Sequence, residues 1–176
     1  MSRTYYKKFD KSFPITDKKF QKILSFYLFE CPTPNKSQRA TTFEQLGWRG
    51  RAAFSSLRKK LLASSSLSLK ENYYPCSKDE LEQKFKLVSE IKPVDEYCVF
   101  LKSDEKSVMQ SLFSAIRNAF AHGSFDVRYY HLENGEKKRI YFFSNYDKYL
   151  KAELVLQEQT LINWIDIVKS GYNPNL

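Results

Sequence analysis

The chain of 176 residues has few of the residues that bind metals or form disulfides: three cysteines and two histidines. Cys31, Cys76 and Cys98 are widely spaced and odd in number, which argues against a zinc site and is typical of a reducing compartment. Glycine is also scarce, with five copies. No Gly-rich phosphate loop, Gly-x-Ser-x-Gly motif, histidine pair or carboxylate pair occurs, so we expect no metal and no cofactor.

Long hydrophobic runs are absent as well. The first 13 residues, MSRTYYKKFDKSF, contain no apolar signal core, and no run approaches the length of a membrane span. A cytoplasmic protein without membrane contact is therefore expected.

Positive charge and aromatic residues are abundant. Lysine and arginine number 29 against 20 acidic residues, a net charge of +9, and aromatic residues make up 16%. A surface of that sign attracts polyanions, of which RNA is the usual one, although charge alone also fits a merely soluble basic protein. The length and the 42% hydrophobic content favour one folded domain with a proper core.

Hydrophobic periodicity predicts the elements of this domain. Five helices are expected. The first runs from Thr16 to just before Pro32, the second over 42–63, and the third from a capping box at Ser77 to just before Pro93. The fourth and fifth span 107–123 and 158–170. A hairpin turns at Asn134-Gly135, and 148–157 adds a third antiparallel strand. Residues 1–15 are expected to form a basic aromatic arm, 31–38 a linker, and 64–75 a loop or, alternatively, a short strand.

The predicted helix over 107–123, SVMQSLFSAIRNAFAHG, is apolar along one broad stripe but carries Arg117, Asn118 and His122 in its last two turns. Ser103 or Asp104 is expected to cap its start and Gly123 to close it. Asn118 and His122 share a face, so the amide can hydrogen-bond the imidazole. Arg117 and His122 are about 140° apart around the axis, and two helices crossing near a twofold axis would bring such groups together.

The segment Arg117-Asn118-Ala119-Phe120-Ala121-His122 resembles the Arg-polar-x-x-x-His signature of the HEPN superfamily, whose members often continue with glycine as here. The resemblance implies a small helical bundle, and together with the elements predicted above it gives a mainly α (α+β) single domain over 1–176. Its parts would be a helical bundle at 16–123, a C-terminal three-stranded antiparallel sheet (hairpin plus one strand) at 124–157, and a final helix at 158–170. It also implies a homodimer formed through the 107–123 helix.

The same resemblance implies a metal-independent endoribonuclease that acts as a toxin or phage-defence effector, with an antitoxin or other regulatory partner. Arg117 and His122 carry over as catalytic residues, with Asn118 as the supporting polar residue. The chemistry is consistent with these residues, because RNA supplies its own 2′-hydroxyl nucleophile and two copies of His122 can divide the roles of base and acid. Arg117 suits the phosphorane oxygens.

Two alternatives to the nuclease stay open. Arg117, Asn118 and His122 could instead form a structural cluster at a dimer interface, which would make this a non-catalytic RNA-binding or assembly domain. The protein could also be a plain nucleic-acid binder that uses the face of 49–60. On that face Arg49, Arg51, Arg58 and Lys59 are candidate RNA contacts, equally well explained as a solvated helix face.

Residues outside these two helices carry weaker indications. Arg128 is a candidate phosphate contact, although an ion pair across strands is favoured. His131 is expected to be exposed beside the hairpin turn, without a catalytic role. Tyr73 and Tyr74 could stack bases, although packing is the better interpretation.

Overall fold

A six-stranded mixed β-sheet is the centre of the computed structural model, which describes the backbone of residues 5–7 and residues 16–32, 41–92, 94–132 and 134–173. In chain order the strands are β1 (Tyr5–Lys7), β2 (Tyr73–Cys76), β3 (Tyr97–Leu101), β4 (Phe125–His131), β5 (Lys137–Asp147) and β6 (Tyr149–Gln157). Across the sheet their order is β1-β4-β5-β6-β3-β2. Neighbours are antiparallel except for β2 and β3, which run parallel.

Helices cover both faces of this sheet unequally. They are α1 (Lys18–Ser25), α2 (Gly50–Ala63), α3 (Leu81–Val88), α4 (Val108–Ala121) and α5 (Glu158–Ser170). α1 continues directly into a π-helical turn, Phe26–Glu30. The main core joins α1, α2, α4 and α5 to one face of the sheet. α3 packs on the other face, where its Leu81 and Val88 meet Cys76 and Val99.

The expected helical bundle at 16–123 with a separate three-stranded sheet is wrong. Two strands of the large sheet, β2 and β3, lie inside the segment assigned to the bundle. β3 is buried on both faces, since Cys98 faces the main core and Val99 faces α3. A strand buried on both sides lacks the apolar–polar alternation that identifies a half-exposed strand, which is why 93–101 gave no strand signal.

The helix expected over 42–63 is shorter than predicted and begins at Gly50. Gly47 and Gly50 have φ of 85° and 74°, values that place a turn before the helix. The capping box expected at Ser77 is also wrong. The Glu80 carboxylate accepts hydrogen bonds from both the backbone and the hydroxyl of Ser77, and the helix begins only at Leu81.

The hairpin and the third strand are present as β4, β5 and β6, but they form the middle of the larger sheet. The hairpin connection is longer than a two-residue turn, because the Leu132 amide donates to the Glu136 carbonyl at 2.8 Å. The final helix is confirmed as α5, followed by Gly171 with φ of 73°. The expected N-terminal arm lies mostly outside the described residues, although Tyr5–Lys7 forms the edge strand β1.

A tight crossing at Gly171 provides a test of the packing. A β-carbon built there would lie 2.7 Å from the Leu46 carbonyl oxygen, and the positive φ adds backbone strain. We expect Gly171→Ala to lower the free energy of unfolding by about 3 kcal/mol. Gly135→Ala is the matched control, because its φ is also positive (82°) but nothing lies within 4 Å. It should cost about 1 kcal/mol. Both free energies of unfolding are measured by urea unfolding. Equal losses for Gly171→Ala and Gly135→Ala would contradict the close approach of Gly171 to Leu46.

Among the described residues, no helix is both long enough and apolar enough to cross a membrane.

Candidate functional site

Helix α4 has clear local signals at both ends. Ser107 caps its start: the Ser107 hydroxyl accepts from the Gln110 amide at 3.2 Å, and the Gln110 side chain accepts from the Ser107 amide at 2.8 Å. This capping box, four residues after Ser103, replaces the predicted cap at Ser103 or Asp104. At the other end, Gly123 closes the helix with φ of 65°, and the Ser124 amide donates to the Ala119 carbonyl.

The buried side of α4 fixes its rotation against the sheet. Phe113, Ile116 and Phe120 belong to the main core, and the Phe120 ring lies 5.0 Å from that of Phe143 on β5. Because these side chains are buried in the core, the opposite side of the last two turns of α4 faces outward.

Arg117 and His122 border the outward-facing strip at the end of α4. At about 100° per residue, Ala121 and Asn118 lie between them around the helix. Asn118, Ala121 and His122 are exposed, and Arg117 is half-buried. The predicted divergence of Arg117 and His122 therefore holds within one chain: the two side chains lie on opposite margins of one strip. The exposed Ala121 leaves the centre of the strip free of bulk.

None of the three motif side chains forms a hydrogen bond or an ion pair with the part of the chain that the structure describes. The expected hydrogen bond between the Asn118 amide and the His122 imidazole is therefore not formed. His122 is the C-cap residue, and its backbone amide donates to the Asn118 carbonyl at 3.0 Å. The imidazole itself is left exposed at the helix end.

Helix α4 packs against the π-helical turn that follows α1. Burial raises the pKa of the Cys31 thiol, and the charge of the Arg117 guanidinium partly opposes that rise. The turn itself closes with the Cys31 amide donating to the Phe26 carbonyl at 2.7 Å. Phe29 on this turn is 72% exposed. Nothing in the sequence indicated this π-helical turn, since its residues also fit an ordinary helix.

Only two of the four predicted RNA contacts on 49–60 lie together. Arg51 and Arg58 share one side of α2 and line a groove of about 450 Å³ whose floor includes Phe54 and Met109. Arg49 instead donates to the Glu44 carbonyl at 3.2 Å. Lys59 is exposed and does not line this groove.

The groove lies at the start of α4, and the motif lies at its end. Since Ser107 and His122 are separated by fifteen residues, the two regions are about 22 Å apart along the helix.

Arg128 does not join either region. It lies on the sheet face opposite to α4, next to the buried Val127 that faces the main core. Its side chain pairs with Asp126 of the same strand at 2.8 Å and covers the Phe142 ring at 4.0 Å. The favoured ion pair is thus present, but within one strand and not between strands. His131 is exposed as predicted, and Tyr73 is buried in packing.

A cleft that the sequence did not indicate lies beside the motif. Asn118 is one of its lining residues, and the others include Ser114 of α4, Asn145 of β5 and Lys106. No sequence pattern could have joined these residues, because three separate segments meet there only through the sheet.

Comparisons with protein-family models, with curated proteins and with solved structures find no match to this chain. Within the described ranges, no group of three or more His, Cys, Asp or Glu side chains is placed to hold a metal ion.

Proposed function

We propose that this protein is a metal-independent endoribonuclease whose site forms where the C-terminal ends of two α4 helices meet. The observation that carries the proposal is the exposed strip bordered by Arg117 and His122. A structural cluster would use these side chains to satisfy helix-end carbonyls, yet in the described residues they satisfy none. The helix end thus presents a cation, an amide and an imidazole outward, without a structural task that accounts for them.

Two copies are needed because one chain holds one imidazole at this strip. An isologous contact through the exposed Ala121 would place each residue near its symmetry mate and let the two helix backbones approach closely. His122 of one chain would then face His122 of the other, with an Arg117 on each side. This arrangement overcomes the divergence of Arg117 and His122 within a single helix.

The reaction follows from these groups. A neutral His122 imidazole accepts the proton of the RNA 2′-hydroxyl while the 2′-oxygen attacks the neighbouring phosphorus. The bond from phosphorus to the 5′-oxygen breaks, and that oxygen takes a proton from the protonated imidazole of the second chain. The products are a 2′,3′-cyclic phosphate and a 5′-hydroxyl. Arg117 stabilises the charge on the phosphorane oxygens with its planar pair of donors.

The overall charge of +9 supports a polyanionic substrate. RNA is favoured over DNA because only RNA carries the internal nucleophile that two imidazoles can activate. The role of toxin or phage-defence effector, with a restraining partner, rests on the resemblance of residues 117–122 to the HEPN signature. The three cysteines are free and buried, which fits the reducing cytoplasm in which such an enzyme would meet its RNA.

The proposal is tested by incubating the purified protein with single-stranded RNA in excess EDTA. We expect cleavage, products that end in a 2′,3′-cyclic phosphate, and no cut at a nucleotide whose 2′-hydroxyl has been replaced by hydrogen. Abolition of cutting by EDTA, or cutting at the deoxy position, would refute the mechanism.

The second candidate function is nucleic-acid binding without cleavage, favoured by the position of Arg51 and Arg58 on one groove with an apolar floor. A wild-type protein that binds RNA but never cuts it would support this function. Arg51→Ala with Arg58→Ala should then weaken binding and make its salt dependence less steep.

A further inference from the structure

A second cleft, separate from the one beside Asn118, begins where α4 ends. Its lining starts with Gly123 and Ser124, the two residues that follow His122, and continues over strands β3 to β6. Its volume of about 550 Å³ is typical of pockets that bind small ligands. Open space adjoins Gly123, because a β-carbon built there would meet no described atom within 4 Å. This second cleft is called the sheet cleft below.

The strand register places four polar side chains of the sheet cleft on the sheet face opposite to α4: Tyr97, Asp126, Arg128 and Glu153. Directly paired residues of antiparallel strands share a face. Asp126 pairs with Phe142. Val155 pairs with Phe142 on one side and with Tyr97 on the other. The other two polar residues are each two positions from a member of this row, and the register shift between β5 and β6 lies beyond it.

Each of the two carboxylates is held by one neighbouring side chain. The Tyr97 hydroxyl donates to Oε1 of Glu153, and Nε of Arg128 donates to Oδ2 of Asp126 at 2.8 Å. Burial raises the pKa of the Tyr97 phenol, and the hydrogen bond to Glu153 raises it further, so the hydroxyl stays protonated and keeps donating. An ionised carboxylate offers about four lone-pair sites, so both groups can accept further hydrogen bonds from a ligand.

The charges of the sheet cleft favour a ligand that donates hydrogen bonds. Among the described residues that line it, two carry a carboxylate and one, Arg128, carries a positive charge that is already paired with Asp126. Such a lining repels a phosphate. In RNA the N–H donors belong to the bases, whose Watson–Crick edges are exposed in single strands. Guanine presents two adjacent donors, N1–H and the N2 amine, which match the two oxygens of one carboxylate. Adenine and cytosine present one amine beside an acceptor nitrogen.

A planar group for stacking lies on the same face. The guanidinium carbon of Arg128 lies 4.0 Å from the centre of the Phe142 ring, and the ion pair with Asp126 holds it there. The Arg128 side chain is 34% exposed, so part of it is open to a ligand. RNA-binding proteins stack unpaired bases on arginine planes as well as on aromatic rings.

We propose that the sheet cleft is a specificity pocket for one guanine base of the RNA, in which the Glu153 carboxylate accepts from N1–H and the N2 amine and Arg128 stacks on the ring. The assignment of the base to RNA rests on the proposed function, whereas the acceptors and the stacking group are features of the fold itself. The four residues from His122 to Asp126 span at most about 14 Å. At about 3.4 Å per stacked nucleotide, the guanine lies within about four nucleotides of the bond that is cut.

The test measures binding of short single-stranded 2′-O-methyl RNAs, which the proposed reaction cannot cut. Each is a run of uridines with guanosine, inosine or adenosine at its centre, and fluorescence anisotropy gives the affinity. For the wild type we expect inosine to bind about tenfold more weakly than guanosine, because it lacks the N2 amine that donates to a charged acceptor. Adenosine, which also lacks N1–H, should bind no better than inosine.

Glu153→Gln should bind guanosine and inosine equally, because the amide keeps the shape of the side chain but loses one acceptor oxygen. Tyr97→Phe, which removes the bond that orients Glu153, should give a preference between that of Glu153→Gln and that of the wild type. Glu90→Gln is the matched control, since it removes the same charge from an exposed position that does not line the sheet cleft. It should keep the tenfold preference, and thermal unfolding should show all variants folded.

Equal affinities of the wild type for guanosine and inosine would overturn the pocket. Retention of the full preference by Glu153→Gln would overturn it as well. If free GMP bound to the wild type while the oligonucleotides showed no preference, the ligand would be a free nucleotide and the assignment to RNA would be wrong.

Cleavage separates this inference from the proposed function. A wild type that cuts RNA, but neither binds nor cuts with a preference for nearby guanine, overturns the pocket and leaves the nuclease standing. A wild type that never cuts, but prefers guanosine through Glu153, supports the pocket and refutes the nuclease.

Discussion

His122→Ala is expected to slow RNA cleavage by about 10²- to 10⁴-fold, because it removes both the general base and the general acid from the dimer. The fold should be unaffected, since the His122 side chain is exposed and bonds to no described residue. The measurement is the single-turnover cleavage rate of a labelled RNA, with urea unfolding of the same preparation.

The chain offers one control of the same residue type. His131→Ala changes the only other histidine, which is exposed at the end of β4. It should cleave at the wild-type rate. If His131→Ala lost activity while His122→Ala kept it, the catalytic histidine would be the one on the hairpin, and the proposed site would be wrong.

Arg139→Met is expected to lower the free energy of unfolding by about 2–3 kcal/mol. Arg139 on β5 pairs with Asp17, the N-cap of α1, at 2.8 Å and with Glu158, the first residue of α5. The three side chains are only 16%, 22% and 11% exposed, so removal of the cation leaves two carboxylates together in a poorly solvated place. Urea unfolding at neutral pH measures the loss.

Arg128→Met is the control for Arg139→Met, because its ion pair with Asp126 is more exposed, at 34% for both side chains. It should cost less than about 1 kcal/mol. Acid unfolding adds a second readout. The hydrogen bond from Arg139 is the main cause that lowers the pKa of Asp17 in the folded protein. The ionised Asp17 therefore stabilises the fold at neutral pH, and this contribution is lost as the pH falls through the lowered pKa. If the free energy of unfolding of Arg139→Met fell with acid as steeply as that of the wild type, the proposed role of the Arg139–Asp17 ion pair would be contradicted.

Local chemistry made part of the fold predictable. The alternation of β4, the Asn134-Gly135 turn and the apolar stripe of α5 each carry their own signal, and the structure places these elements close to where they were predicted. Helix α4 was found for the same reason. Its start was predicted closely, but the cap was placed four residues too early, since Ser103 and Ser107 are equally good caps in sequence and only the Gln110 partner decides between them.

The sheet as a whole was not predictable, because its outer strands depend on distant partners. β2 pairs only with β3, and Pro75 within it argues against a central strand. β3 is a short apolar run that becomes a strand only between β2 and β6. An interpretation of 16–123 from helical periodicity and a family resemblance therefore missed the strands that the helices cover.

The candidate site was likewise predictable in part. Helical spacing alone predicted that Arg117 and His122 diverge and that Asn118 shares the face of His122. It could not show that Ala121 is exposed between them, or that Asn118 and Lys106 line one cleft. These facts depend on the rotation of α4 against the sheet.

Mixing wild-type and His122→Ala chains tests most directly whether two copies of His122 form one site. The chains are exchanged to equilibrium at constant total concentration, and the initial rate of RNA cleavage is measured against the fraction of wild type. A site that needs both imidazoles predicts a rate that follows the square of this fraction, so an equal mixture would retain about one quarter of the activity. A rate that falls in direct proportion, with one half retained, would mean that each chain cleaves alone and would contradict the account.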